Sequence, residues 1–571
     1  MKSQNRDDVS YTQKSFINSH WGKWIFILSG SVMTGMFPTS ANVFYLLLGE
    51  LCSFIVLCVM VYKFRFLNIV FSKPNIFFFL LSAIFVLFAA HTFSVFLFRR
   101  FSEVLTRINV PQHAAFLLPY SSWFIIAAAT VALPAIFVFM YGFLSRFIPA
   151  CREWIKNLNL VERFFLGIGC LSSLIFVAVL FNMTNCFYVP LDSQGNIIKY
   201  DVVYTSDSGA ICYDNAYMNI IHEENDFRQP LFGVFALPFA TCAKVLSKIL
   251  FWFPHSDMFF LDAVQILLLL SGFILISRIL GLSGISQAFF LTLSVMVYSF
   301  GLFALMMEQY IFAQFWLVLF LYTAVRKKNN DDCYCLIAAA GSLMTSGILF
   351  FLLSYGKDIY TKVKKIFAAG IKFFAAICLF GELPRILNIV HTSNDLLSFA
   401  GTKLTPFEKT LQFFNFISGY FVKPATVIVE QHHRDSFDKP IIESASYFSY
   451  FLAPATTFNF LGILLLAIAV LGFVLNYKTV FAKICMFWIF YSFLILCVVG
   501  WGTHENGLIL YSLYFGWAYF SLIFMAIEKF FQKQQTIRYV IYSVLIVVLA
   551  VVNFSGIYDL MNFGTQYYPV K

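Results

Sequence analysis

Again and again this chain runs solidly apolar for about 20 residues, the length a helix rising 1.5 Å per residue needs to cross a hydrocarbon core about 30 Å thick. No other feature constrains the fold as tightly. Inside lipid every backbone N–H and C=O must be paired within the protein, which leaves helices and closed barrels as the spanning structures. Barrel strands alternate apolar and polar residues, and these runs do not. The sequence therefore predicts an all-α polytopic membrane protein. Its 571 residues are 60% hydrophobic and 12% charged, with a mean hydropathy of +0.79, too little polar surface for a soluble globule. The 73 Phe fill lipid-facing and interhelical surface. The net charge of +10 fits the excess of Lys and Arg in cytoplasmic loops, so no nucleic-acid partner is expected. The 12 Cys form no CxxC pair and no metal-ligand spacing.

Residues 1–23 are polar, carry Lys2, Arg6, Lys14 and Lys23, and lack a cleavage site, which predicts a cytoplasmic tail. A short apolar piece, Trp24–Phe37, stops at Pro38, and spans at 41–62, 74–98 and 117–145 complete an N-terminal helical unit over 24–160. The segment 98–107 carries Arg99, Arg100 and Arg107 on the side the count makes outer. Either an amphipathic surface helix lies there or the count is off by one. Residues 161–530 form the membrane core. A span at 161–182 delivers an acidic outer loop, 183–256, in which the apolar stretch after Pro230, with Lys244 and Lys248, suits a helix lying in the interface. Spans at 257–280, 285–304 and 309–325 follow. The piece Cys333–Tyr355 has basic residues at both ends, which predicts a re-entrant hairpin bending at Gly341–Gly347. Then come a span at 366–390, a second outer loop, 391–456, and spans at 457–477, 481–500, 507–527 and 537–555. Residues 531–571 carry the last helix and an outer tail. The total is about 13 transmembrane helices plus the hairpin.

There is no P-loop, HExxH, GxSxG or EF-hand loop. The polar material gathers instead on the outer side, above all in Tyr204–Pro238. Asp207 sits in the turn-prone SDSG, followed by Asp214, His222, Asp226 and Arg228. A carboxylate in a water-accessible cleft can take a proton from a hydroxyl, and a guanidinium can clamp a phosphate leaving group. Solvated turn formers are the plainer account of the same residues. Glu308, in LMMEQY, falls in a very short outer connection, and Glu382 and Arg385, in GELPR, near the outer end of a span. Charges in such places face a cavity, one another, or the water boundary. EQHHRDSFDK gathers His432, His433, Arg434 and Lys439 in a polar loop; two adjacent His cannot face one metal from a helix, leaving phosphate or substrate contact, or a solvated loop. GWGTHENG brings His504 and Glu505 beside Trp501, an interfacial anchor. Glu50 and His91, within the N-terminal spans, would face helix neighbours.

The order of parts, a span, a large outer loop with an acidic turn, a surface-lying helix, a short outer loop with Glu308 and then many spans, resembles the GT-C superfamily of integral-membrane glycosyltransferases, as does SDSG…DNAYMN…HEENDFRQPLF. The resemblance covers roughly 161–530 and leaves out the N-terminal spans. It implies an inverting transferase at the cytoplasmic membrane, facing outward, that moves a sugar from a polyprenyl-phosphate carrier to a cell-envelope glycan or lipid acceptor. Asp207 would be the base and Glu308 the second acidic position. Arg228, Arg385 or Arg434 would hold the phosphate, with Asp214, His222, Asp226, His504 and Glu505 as further substrate contacts. Members with an adjacent acidic pair in the first loop differ from this chain, where Ser208 follows Asp207, which leaves open both a divalent cation, Mg or Mn, and the choice between Asp207 and Asp214 as the acting carboxylate. Two other readings use the same parts: a transporter or flippase for lipid-linked saccharides, and an O-antigen-ligase-like or polymerase-like protein using the loop 391–456.

Overall fold

A computed structural model of the chain describes residues 151–199, 201–213, 228–253, 255–326, 333–352, 359–379, 404–434, 440–449, 457–501 and 508–570, together with residues 148 and 149 and scattered positions between 23 and 63. The chain divides into two compact units, Met1–Leu158 with Gly381–Leu387, and Asn159–Phe380 with Asn388–Lys571. In the first, Trp24 stacks on Phe54 with ring centroids 5.9 Å apart and Lys23 lies over the Tyr62 ring. The N-terminal spans expected at 74–98 and 117–145 lie outside the described residues, as do Glu50, His91 and the Arg99–Arg107 segment.

The second unit is mostly helical. Its elements in order are α1 (Leu160–Phe181), α2 (Ser208–Tyr213), α3 (Phe232–Ile249), α4 (Ser256–Leu280), α5 (Gly284–Met296), α6 (Tyr298–Phe303), α7 (Gln309–Val325), α8 (Cys333–Ser342), a 3-10 segment (Met344–Leu352), α9 (Ile359–Leu379), α10 (Pro406–Phe421), β1 (Thr426–Arg434), β2 (Pro440–Ser449), α11 (Thr457–Asn476), α12 (Val480–Phe493), α13 (Ser512–Phe530) and α14 (Gln535–Tyr567). Among the described residues six helical stretches are long and apolar enough to cross a membrane: α1, α4, most of α11, α12 with the π-turn after it, α13 with the 3-10 turn before it, and α14; α5 and α7 are shorter apolar helices. The chain is a helical membrane protein.

Polar clamps close one end of this bundle. Asn159 caps α1 in a reciprocal box with Glu162. Glu162 also pairs with Arg278 at the end of α4 at 2.6 Å and accepts from Gln287 at the start of α5 at 2.9 Å. Arg326, ending α7, donates to the carbonyl of Arg278 at 2.8 Å. Glu528 and Arg538 pair at 2.7 Å where α13 turns into α14. Helix ends carry unpaired backbone groups, and charged side chains there reach both those groups and water.

The opposite end carries the loops. Thr184, just past α1, donates to the carbonyls of Gly564 and Tyr568 at the end of α14, at 2.9 and 2.7 Å. The Tyr568 hydroxyl donates to Ala445 O at 2.6 Å and accepts from Ala445 N at 3.0 Å. Lys423, between α10 and β1, pairs with Asp559 of α14 at 2.5 Å.

Several expectations change. The stretch 391–456, expected as a loop, holds α10 and a hairpin: β1 and β2 pair antiparallel in register Thr426↔Ser449 to Arg434↔Pro440, with a bulge at Gln431/His432, and β-branched and aromatic residues favour the strands. The expected span 285–304 breaks at Val297, whose extended φ −69°, ψ 145° separates α5 from α6. The last helix reaches Tyr567, twelve residues past the expected 555. The span expected at 366–390 is described only as far as Leu379, within α9, which carries four Lys; residues 380–403 lie outside the described set. Cys333–Leu352 bends at Leu343, where the Leu231 N–H donates to Gly341 O and the Met344 N–H to Arg228 O, both at 2.8 Å. Tyr334 and Phe350, on the two legs, meet consecutive residues of α9, Lys372 and Phe373.

Candidate active site

The short connection Ala304–Glu308 between α6 and α7 is fully enclosed. Glu308, extended at φ −141°, ψ 142°, ends it as the residue before α7. Its own N–H donates to Gln265 Oε1 at 2.9 Å. Its Oε1 accepts the backbone N–H of Asp207 at 2.9 Å, while its Oε2 is buried without a hydrogen-bond partner in the protein. Gln265 stands one turn along α4 from Asp262, whose Oδ1 accepts from Gln265 Nε2 at 3.4 Å. A spacing of three puts both on one helix face, and both are fully buried. A polar line thus runs from the interior of α4 through Glu308 to the acidic turn of the first loop.

The loop around Asp207 is held in an unusual shape. Asp201, Tyr204 and Thr205 all have left-handed φ, at 66°, 52° and 58°, a conformation costing non-Gly residues of order 1 kcal/mol or more each. Tertiary contacts hold it. The Tyr204 N–H donates to Tyr447 O at 2.7 Å and the Tyr447 N–H to Val202 O at 2.8 Å, and the Tyr204 and Tyr298 hydroxyls share a hydrogen bond of 2.7 Å. Gly209 is required by proximity, since a Cβ there would stand 2.2 Å from the carbonyl oxygen of Ile198. The Asp207 turn is fixed from three directions, by α6, β2 and Glu308, and its side chain stays partly exposed.

The electrostatics follow from this enclosure. Burial first, and then the Asp207 carboxylate, hold Glu308 well above the usual carboxylate range, against the Asp207 N–H bond and the attraction of Arg228. Arg228 is half-buried beside the bend of Cys333–Leu352. Cys212 closes α2 with its thiol against Met307 Sδ at 3.4 Å. Burial raises that thiol, and the fields of Asp257, Asp262 and Glu308 push it the same way.

Of the residues singled out from sequence, the structure brings together Asp207, Glu308 and Arg228. It places Arg434 near the tip of the hairpin, six residues beyond Ile428, the partner of Tyr447, about 20 Å along the strand. Asp214, His222, Asp226, Arg385, Glu382, His504 and Glu505 lie outside the described residues. Among the described residues no group of three His, Cys, Asp or Glu side chains could hold a metal ion. Asp262 and Gln265 were not anticipated. Their signal was present, a carboxylate and an amide three apart inside FFLDAVQILL, where polar groups in an apolar helix face a partner. No known protein family, curated protein or solved structure matches the chain.

Proposed function

We propose that the chain is a membrane glycosyltransferase of the GT-C type, moving a sugar from a polyprenyl-phosphate donor to a cell-envelope acceptor on the outer face of the membrane, with inversion. The observation that carries this reading is the tie between Asp207 and Glu308 with Arg228 in electrostatic reach. Asp207 takes the proton of the acceptor hydroxyl as that oxygen attacks the anomeric carbon. The bond from that carbon to the phosphate oxygen breaks on the opposite face, and the electron pair leaves with polyprenyl phosphate. Arg228 stabilises the charge that builds there. Glu308 orients the Asp207 backbone. A divalent cation, Mg or Mn, would share the leaving-group charge where one binds. The test uses membranes holding the full chain, a radiolabelled polyprenyl-phosphate sugar and an envelope acceptor fraction. Asp207→Asn should cut transfer at least about 100-fold, the scale of a lost general base, at unchanged levels of inserted protein. Full transfer by that variant would sink the assignment.

One observation favours a second reading. The broken segment Cys333–Leu352 brings its bend to Arg228 through two backbone hydrogen bonds, as interrupted helices do at transporter sites. Movement of a labelled lipid-linked saccharide across proteoliposomes without acceptor, unchanged in Asp207→Asn, supports a flippase instead.

A further inference from the structure

Helix α9 presents three distinct sides. Ala369 and Ile377 are buried, with Ile366 and Phe373 half-buried on the same side. Ile359, Val363, Phe367, Ile371 and Phe374 recur every three or four residues and are exposed, Ile359 to 81% and Phe367 to 69%. At 100° per residue they form one stripe about 120° wide, with Tyr360 inside it. Lys364 and Lys372 are exposed beyond the edge of that stripe, and Lys362 and Lys365 are half-exposed further round. Over its described residues α9 carries too much charge to stand among the helices apolar enough to span.

The depth of α9 is marked by a contact. The Lys372 ammonium lies 5.4 Å from the Tyr334 ring centroid, on the second residue of α8. That helix starts shortly after Arg326, the C-cap of α7, and charged residues at the helix ends of a membrane protein face water. The other three Lys stand seven to ten residues away, about 10–15 Å along the axis. Ile348 and Phe351 in the neighbouring 3-10 segment are exposed as well, so the exposed apolar surface continues from α9 onto that segment.

We propose that α9 lies in the membrane interface and binds anionic phospholipid, its stripe among the upper acyl carbons and Lys362, Lys364, Lys365 and Lys372 among the phosphate headgroups. Charge selects the occupant. Juxtamembrane lysines attract anionic headgroups, and amphipathic helices with cationic polar faces seat themselves at this depth. The inference is independent of the glycosyl-transfer reading.

The test replaces Phe367 with the photocrosslinker benzoylphenylalanine in the full chain, reconstituted in vesicles of phosphatidylcholine with a minority of phosphatidylglycerol, and identifies lipid adducts by mass spectrometry. Adducts should be enriched in phosphatidylglycerol relative to its share of the vesicle and should map to carbons near the glycerol. The triple variant Lys362→Gln, Lys364→Gln, Lys365→Gln should lower the enrichment about twofold or more, and Lys→Arg at the same positions should keep it. Raising salt from about 0.05 to 0.5 M should weaken it in the unsubstituted protein, a readout that does not depend on the Gln variant folding. Adducts in proportion to vesicle composition, adducts at terminal methyl groups, or enrichment abolished by millimolar inorganic phosphate would each overturn the proposal. The first denies charge selection, the second makes α9 a span, and the third makes the site one for a free anion.

Discussion

The backbone N–H of Asp207 donates to Oε1 of Glu308 at 2.9 Å, joining positions 101 residues apart in sequence. Because Glu308 is fully buried, this bond fixes a partly exposed turn to the interior of the helical bundle. Removing the acceptor should therefore cost more than exchanging the carboxyl for an amide. Glu308→Gln keeps an oxygen at the same place, whereas Glu308→Ala leaves the Asp207 N–H unpaired, a loss of about 1–3 kcal/mol. Thermal unfolding of the purified protein should rank unsubstituted and Gln above Ala, and an Ala variant as stable as Gln would contradict the anchoring role.

Burial and the nearby Asp207 carboxylate hold Glu308 above the usual carboxylate range. The folded protein thus keeps a proton that the unfolded chain releases, so stability falls as pH rises above the ordinary glutamate value, until Glu308 ionises in the folded state too. Glu308→Gln cannot titrate. Its unfolding temperature should depend less on pH between about 5 and 8 than that of the unsubstituted protein; parallel profiles would show that Glu308 is ionised when folded.

At the other end of the bundle, Glu162 is buried to 1% exposure and paired with Arg278 at 2.6 Å. Breaking a buried pair strands one charge and typically costs about 3–5 kcal/mol. Arg278→Met alone should sharply reduce the yield of monodisperse protein, and adding Glu162→Gln should recover part of it. A double variant no better than the single one would place the loss in packing rather than charge.

Helix α11 approaches its neighbours through glycines. A Cβ at Gly472 would stand 2.0 Å from the carbonyl oxygen of Leu522, and one at Gly462 would stand 2.1 Å from that of Phe414. Backbone cannot yield as a flexible side chain does. Gly472→Ala and Gly462→Ala should each destabilise the protein by about 1–3 kcal/mol or more, whereas Gly370→Ala, with open space around it, should not. Equal unfolding temperatures for all three would show that the helices separate at little cost.

Tyr568→Phe removes both hydrogen bonds to Ala445. Hydrogen exchange of the β2 amides should accelerate in this variant while that of α4 stays unchanged. Unchanged β2 protection would mean that the hairpin is held by its own strand pairing.

The six apolar spans among the described residues were legible because the solvent dictates them: a helix in lipid needs a continuous run of apolar side chains, and composition reports that directly. Asp207 and Glu308 stood out as polar residues between apolar runs, but sequence separation hid their hydrogen bond. Asp262 and Gln265 were masked by the apolar residues around them, although their spacing of three places them on one helix face. The hairpin was missed because EQHHRDSFDK drew notice as a charged loop, while the flanking TVIV and ASYFS carried the strand signal. The residues that shape the Asp207 turn, Tyr204 and Thr205, take left-handed backbone that no local pattern announces, because distant Tyr298 and Tyr447 impose it.

The latch between Thr184 and the end of α14 sets a timetable as well as a geometry. Its hydroxyl waits for carbonyls 380 and 384 residues downstream. At about 5–20 residues per second of synthesis, that is a delay of roughly 20–80 seconds. Through that interval Thr184 lacks both acceptors, and the tie between the end of α1 and the end of α14 cannot close. The two hydrogen bonds between the Tyr568 hydroxyl and Ala445 wait on the same late residues.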